Sequence, residues 1–93
     1  LSVYLDNAKN RFGRMIMCHM IADSTGELLR MADRIGVARK WLQAAGTRRE
    51  HFDICLEKRR RAIALGAIPL TSRDFVRVIQ NRSDALAAGK RIA

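Results

Sequence analysis

The longest apolar run in the chain is Arg14-Met15-Ile16-Met17-Cys18-His19-Met20-Ile21-Ala22-Asp23, bounded by charge at both ends. A run of this length with a helix start directly behind it predicts a strand buried on both faces. Alternate residues of a strand face opposite ways, so Met15, Met17, His19 and Ile21 share one face and Ile16, Cys18, Met20 and Ala22 the other. His19 is the one imidazole among these side chains. Ser2 to Leu5 alternates and predicts a first strand ending at Asp6. Asn7 to Gly13 is polar and rich in turn residues. That link is too short for a parallel crossover, so the first two strands are expected to be antiparallel neighbours.

Ser24 followed by Glu27 is a capping box. The helix behind it carries the apolar stripe Leu28, Met31, Ala32 and Ile35, and Gly36 supplies the stop. Val37 to Leu42 reads as a short strand after that glycine, although Arg39, Lys40 and Trp41 would also suit a continued helix. With the strand reading, a right-handed βαβ unit follows. Gln43 to Thr47 is a small-residue loop. Glu50 to Leu65 has helical length and composition, with Ile54, Cys55, Ala62 and Leu65 on its apolar face. Ala67 to Leu70 reads as a last strand, placed at an edge or a strand end by Pro69. Thr71 or Ser72 caps a final helix to about Gln80, with Phe75, Val76 and Ile79 inward.

The order β-β-α-β-α-β-α describes a small single α/β domain with a mixed sheet of three to four strands and two or three helices. Residues 1–80 form the compact domain, and 81–93 a helical extension or frayed basic tail.

Composition adjusts this picture. A chain of 93 residues with 48% hydrophobic content suits one core. No apolar run reaches the ~18 residues of a membrane helix, and the short start does not have a signal-peptide layout. Two cysteines without a C-x-x-C pair point to a reducing cytoplasm. The formal charge is +9, and 14 of the 18 basic residues are Arg. Arginine forks match phosphate oxygens, which favours nucleic acid or a nucleoprotein complex as partner. The expected contacts are Arg39, Lys40, Arg48, Arg49, Lys58, Arg59, Arg60, Arg61, Arg73 and Arg77. A codon-driven Arg excess on solvated faces gives the same counts.

The pattern Val3-Tyr4-Leu5-Asp6, Met17-Cys18-His19-Met20-Ile21-Ala22-Asp23, Glu27-Leu28, Met31-Ala32, Ile35-Gly36, Arg39, Trp41, His51-Phe52-Asp53, Lys58-Arg59 and Gly66-Ala67 resembles the family known as "domain of unknown function 4031". The likeness spans roughly residues 3 to 72. It implies a phage or mobile-element context and no particular activity. Members of that family carry a histidine soon after the Glu-Leu pair. Leu29 or Arg30 stands there in this chain, so no role of that histidine is carried over.

The candidate catalytic residues are His19, Asp23, His51 and Asp53. Ligands of open α/β sheets bind at the carboxyl ends of parallel strands, an edge expected to collect Asp23, Ser24, Trp41, Gln43, Thr71 and Ser72. His51 and Asp53 at a helix start, with Arg48 and Arg49 ahead of them, would suit a phosphate. Asp53 as a plain helix cap is the simpler alternative. Zinc is discounted. His51 and Cys55 share a helical face, only one of Cys18 and His19 can join them, and structural zinc takes four ligands. Cys18 and Cys55 then read as small core hydrophobes, and neither metal nor cofactor is expected. Asp6 and Asp23, the candidate carboxylate pair, fall at opposite ends of the second strand, more than ~20 Å apart. His19 reads as a core histidine bonded to a backbone carbonyl, and Trp41 as core in preference to a base-stacking surface.

Three functions remain open: a basic module docking on nucleic acid or nucleoprotein, a protein–protein module that docks on or inhibits a host or phage machine, and a small enzyme or binder for a phosphorylated or nucleotide ligand. Oligomeric state is not encoded in any of these patterns.

Overall fold

A computed structural model describes residues 2–82, so most of the 81–93 tail lies outside the described residues. The elements are β1 (Val3–Leu5), β2 (Asn10–Phe12), β3 (Met15–Ala22), α1 (Thr25–Ile35), a 3₁₀ turn (Arg39–Trp41), β4 (Phe52–Cys55), α2 (Leu56–Ala64), β5 (Ile68–Pro69) and α3 (Ser72–Gln80). Over the described residues the protein is an α/β domain with a mixed five-stranded sheet and three helices.

β3 is the hub of the sheet. β2 pairs antiparallel with its first residues, joined by a two-residue turn in which Gly13 takes a φ of 61°. β1 pairs antiparallel with its last residues, and β4 antiparallel with its middle. Among the described residues the one parallel pair is β1 with β5. Cys18, Met20 and Ala22 project into the core against Leu28, Met31, Ala32 and Ile35 of α1. Phe52 and Ile54 of β4 complete this layer. Helix α1 begins where expected, with the Ser24 hydroxyl accepting the Glu27 N–H, and ends on Gly36 at φ 82°. A Cβ at Gly36 would also stand 3.1 Å from Lys58 Nζ. Among the described residues no helix is long and apolar enough to cross a membrane.

Several expectations are corrected. β3 is not buried along both faces. On the other face Ile21 is buried, Met17 and His19 are half-exposed and Met15 is exposed. Val37 to Leu42 forms no strand, and β4 runs antiparallel to β3, so there is no βαβ crossover between them. The stretch read as one helix from Glu50 is strand through Cys55 and helix only from Leu56. The Asn7–Gly13 link supplies an extra strand, β2. Of the inward α3 positions, Phe75 is buried while Val76 is exposed.

Candidate metal centre on the open face of the sheet

The half-exposed face of β3 and β4 gathers the chemistry. In the β3–β4 ladder His19 stands opposite Asp53, and Met17 opposite Cys55. His51 lies two residues before Asp53, on the same side of the extended chain. An antiparallel bridge between Gln43 and His51 holds that segment in line, through N–H···O contacts of 2.9 and 3.1 Å. Three polar side chains from two distant parts of the chain therefore meet. The His19 and His51 rings make an edge-on contact with centroids 5.5 Å apart. Phe75 of α3 flanks His19 at 6.4 Å.

Each imidazole is oriented through its Nδ1. The Nδ1 of His19 is 2.6 Å from Asp6 Oδ2, and the His19 backbone N–H donates to Asp6 Oδ1 at 2.8 Å. The Nδ1 of His51 is 2.7 Å from the Arg49 carbonyl oxygen. A carboxylate and a carbonyl only accept, so each ring in its neutral form carries its proton on Nδ1 and presents a lone pair at Nε2. Those two atoms point at one oxygen. Asp53 Oδ1 is 3.6 Å from His19 Nε2 and 3.5 Å from His51 Nε2. These separations exceed hydrogen-bond length. Asp53 Oδ2 accepts from Gln43 Nε2 at 2.9 Å, which fixes the carboxylate. Asp53 Oδ1 is buried and has no hydrogen-bond partner among the described residues.

The donor set fits a metal ion. All three donor atoms lie within 4.8 Å of one another. Ligands 2.0–2.1 Å from a tetrahedral ion stand roughly 3.4 Å apart, close to the two measured separations. Two imidazoles and one carboxylate suit first-row divalent transition ions. Hydrogen bonds from the outer imidazole nitrogens to a carboxylate and a carbonyl are the usual support of metal-bound histidine. Left bare, the Asp53 oxygen costs about 1–3 kcal/mol.

Other sequence candidates lie elsewhere. The Asp23 carboxylate accepts the Ser2 N–H at 2.7 Å and the Tyr4 hydroxyl at 3.0 Å, and takes no part in the cluster. Burial, then the bond to Asp23, raises the Tyr4 pKa. Asp6 sits opposite His19 in the β1–β3 pairing, its N–H donating to the His19 carbonyl oxygen. Asp23 follows His19 by four positions, or roughly 13 Å, so Asp6 and Asp23 are not at opposite ends of β3 as expected. His19 is no core histidine. It is one-third exposed and pairs with a carboxylate, which the sequence reading missed by placing Asp6 at the far end of β3. His51 and Asp53 do not open a helix, because α2 begins on Cys55 without a side-chain cap. Burial, then the charge of Asp6, pushes the Cys18 thiol up to about 11.

The basic residues are dispersed. Arg48 and Arg49 are exposed in the loop before His51, and that loop is tied to buried Glu50 by the Gly46 N–H. Arg39 makes a two-pronged contact with Asp33 at 3.0 and 2.7 Å, which lowers the Asp33 pKa and raises its own. Arg59 Nε donates to the Asp6 carbonyl oxygen at 3.3 Å. Arg61 faces Glu57 at 3.8 Å and Arg77 faces Asp74 at 4.0 Å. Lys58 is half-buried, while Arg60 and Arg73 are exposed. Lys40 lies over the ring of Trp41, 5.1 Å from its centroid. Trp41 itself is 61% exposed, against the expectation of a core residue.

Residues 3–82 match the family described as "Protein of unknown function (DUF4031)", and the chain belongs to that family. No curated protein and no solved structure matches it.

Proposed function

We propose that this member of a family without an assigned activity binds one divalent transition-metal ion through His19 Nε2, His51 Nε2 and Asp53 Oδ1, and uses it for hydrolysis. The observation that carries this reading is the convergence of two imidazole Nε2 atoms on a buried carboxylate oxygen that has no hydrogen-bond partner among the described residues. Three protein donors leave a coordination position open, as in catalytic zinc sites, whereas structural sites close with four. An ion held there would lower the pKa of a coordinated water toward neutrality and supply a nucleophile at ordinary pH. Asp6 and the Arg49 carbonyl hold the two rings in the required tautomer. Gln43 holds the carboxylate. Of the functions open from the sequence, this favours the small enzyme, with His19, His51 and Asp53 in its site and Asp23 outside it. It also replaces the expectation that the chain uses no metal.

The test is metal content and thermal stability of purified protein titrated with zinc, manganese and ferrous iron after chelator treatment. One of these ions is expected to bind at one per chain and to raise Tm, because a ligand of the native state stabilises it by mass action. His51→Ala and Asp53→Asn are expected to weaken uptake at least tenfold and to reduce the rise in Tm accordingly. No uptake of any of these ions by the native protein, or equal uptake by the variants, removes the reading. Chelator-sensitive release of p-nitrophenolate from bis-p-nitrophenyl phosphate would report hydrolysis, and its absence in the metal-loaded protein would remove the hydrolytic part.

A further inference from the structure

Beside the metal donors the surface opens into a cleft of about 620 Å³, walled by the β2–β3 hairpin on one side and the 3₁₀ turn on the other. Asp53 and Gln43 belong to its lining, so the cleft runs onto the carboxylate that faces the two histidines. Its walls hold Phe12 and Trp41, which are 68% and 61% exposed. A small domain that leaves its only tryptophan and a phenylalanine unpacked around one cleft has apolar surface suited to a ligand. Arg11 and Lys40 line the same cleft and place positive charge beside the aromatic side chains. Aromatic faces stack on nucleobases with little regard to sequence, and cations beside them complement phosphate.

From this pairing of aromatic walls with cations, we infer that the cleft binds a nucleotide, the base against Trp41 and Phe12 and the phosphate with Arg11 and Lys40. The volume lies within the range of small-ligand sites, about 300–1,000 Å³. The ligand chemistry, one base carrying one phosphate, is common to a free mononucleotide and the end of a single strand. Turnover of such a ligand rests on the metal reading above, whereas binding does not. In that hydrolysis one water is consumed. Its oxygen forms the new bond to phosphorus, the bond from phosphorus to the leaving oxygen breaks, and that oxygen takes up a proton.

Trp41 is the only tryptophan, so its fluorescence reports the cleft directly. The experiment titrates the full chain with AMP, CMP, GMP and UMP, with adenosine, with inorganic phosphate, and with a 5′-phosphorylated pentadeoxyadenylate. Each titration is run once in EDTA and once with zinc, and zinc uptake is measured separately. Saturable quenching by at least one nucleotide is expected, with weaker binding of adenosine and none of phosphate alone. Lys40→Glu and Arg11→Glu should weaken nucleotide binding about tenfold or more and leave adenosine nearly unchanged. Phe12→Ala, followed by calorimetry, should weaken both. Tighter binding of the oligonucleotide than of AMP assigns the strand end, and equal binding assigns the mononucleotide. If neither a nucleotide nor the oligonucleotide quenches in either condition, the cleft assignment is overturned, and zinc uptake in that same sample would leave the metal reading standing. Nucleotide binding in EDTA without any zinc uptake supports the cleft and overturns the metal centre.

Discussion

Asp53 faces His19 across the β3–β4 ladder, and its Oδ1 stands 3.6 Å from the ring Nε2, too far for a hydrogen bond and near the spacing of two ligands on one ion. With the ring neutral, a lone pair faces a carboxylate oxygen, an arrangement that is unfavourable until a cation joins it.

That relationship gives the first prediction, which sets stability against function. Asp53→Asn keeps the shape of the side chain and its contact with Gln43 but removes the negative charge. Without metal the variant should be as stable as the native protein or slightly more so, since the unsatisfied carboxylate oxygen is gone. Zinc affinity should fall at least tenfold, because even a partner one bond removed from a metal typically costs about 10–100-fold. Chemical denaturation in EDTA and zinc titration measure the two halves. A variant that lost stability without metal and retained its zinc would contradict both.

Asp6→Asn tests the support of the centre. Asp6 is buried and accepts from the His19 N–H, the His19 ring and the Ala8 N–H. An amide can keep its oxygen on the backbone N–H groups, but its NH₂ then faces Nδ1 and drives the ring proton to Nε2. The nitrogen that should bind metal becomes a donor. Zinc affinity is expected to fall about 10–100-fold with all three ligands in place. Glutamine at position 43 lies on the other side of the cluster, and Gln43→Ala should give a smaller loss because it frees Asp53 to rotate while leaving both tautomers unchanged. Equal losses in the two variants would argue against tautomer control.

Local signals were legible and long-range ones were not. Helix α1 follows from Ser24, Glu27, a four-residue stripe and Gly36, all within one segment. β1 and β3 likewise follow from their own composition. β4 is hidden because Phe52–Cys55 runs into α2 with no polar cap or glycine between them, so the stretch from Glu50 reads as a single helix. The overlooked sign is alternation: His51, Asp53 and Cys55 take one face while Phe52 and Ile54 are buried on the other. His19 and His51 were both candidates from the sequence, but only the register of β4 on β3 brings them together. Asp6 was paired with the wrong end of β3 because β2 occupies the place along β3 that a single long hairpin would have given to it.

The buried thiol of Cys18 sets an alkaline limit. Its pKa rises to about 11 in the fold, chiefly through burial. The native state therefore holds a proton between about pH 9 and 11 that the unfolded chain has released, so stability declines as pH rises through that window and is unaffected below it. The full effect is on the order of 2 kcal/mol. Tyr4, also raised, acts in the same direction. Cys18→Ala should flatten the decline between pH 9 and 11 in denaturation curves. In the native protein Cys18 should also resist iodoacetamide at pH 8 until denaturant is added. Rapid native-state labelling of Cys18 at that pH would show that it is not held as described.

Trp41 supplies a contrast between size and burial. A lone tryptophan in a small domain is ordinarily a large part of its core, and Trp→Ala in a core costs about 3–5 kcal/mol. Here the indole is 61% exposed, on a 3₁₀ turn with no buried residue, and its near neighbour is the Lys40 ammonium. Trp41→Ala should change stability by no more than about 0.5 kcal/mol, as surface substitutions do. Leu28→Ala, by comparison, empties a fully buried position on α1 and should cost about 2–5 kcal/mol. Urea denaturation followed by far-ultraviolet circular dichroism compares the two without relying on the indole. If Trp41→Ala proved as damaging as Leu28→Ala, the ring would have to be packed, and the open wall of the cleft would go with its exposure. A neutral Trp41→Ala that still loses nucleotide binding would place the residue where stability does not explain it and ligand contact does.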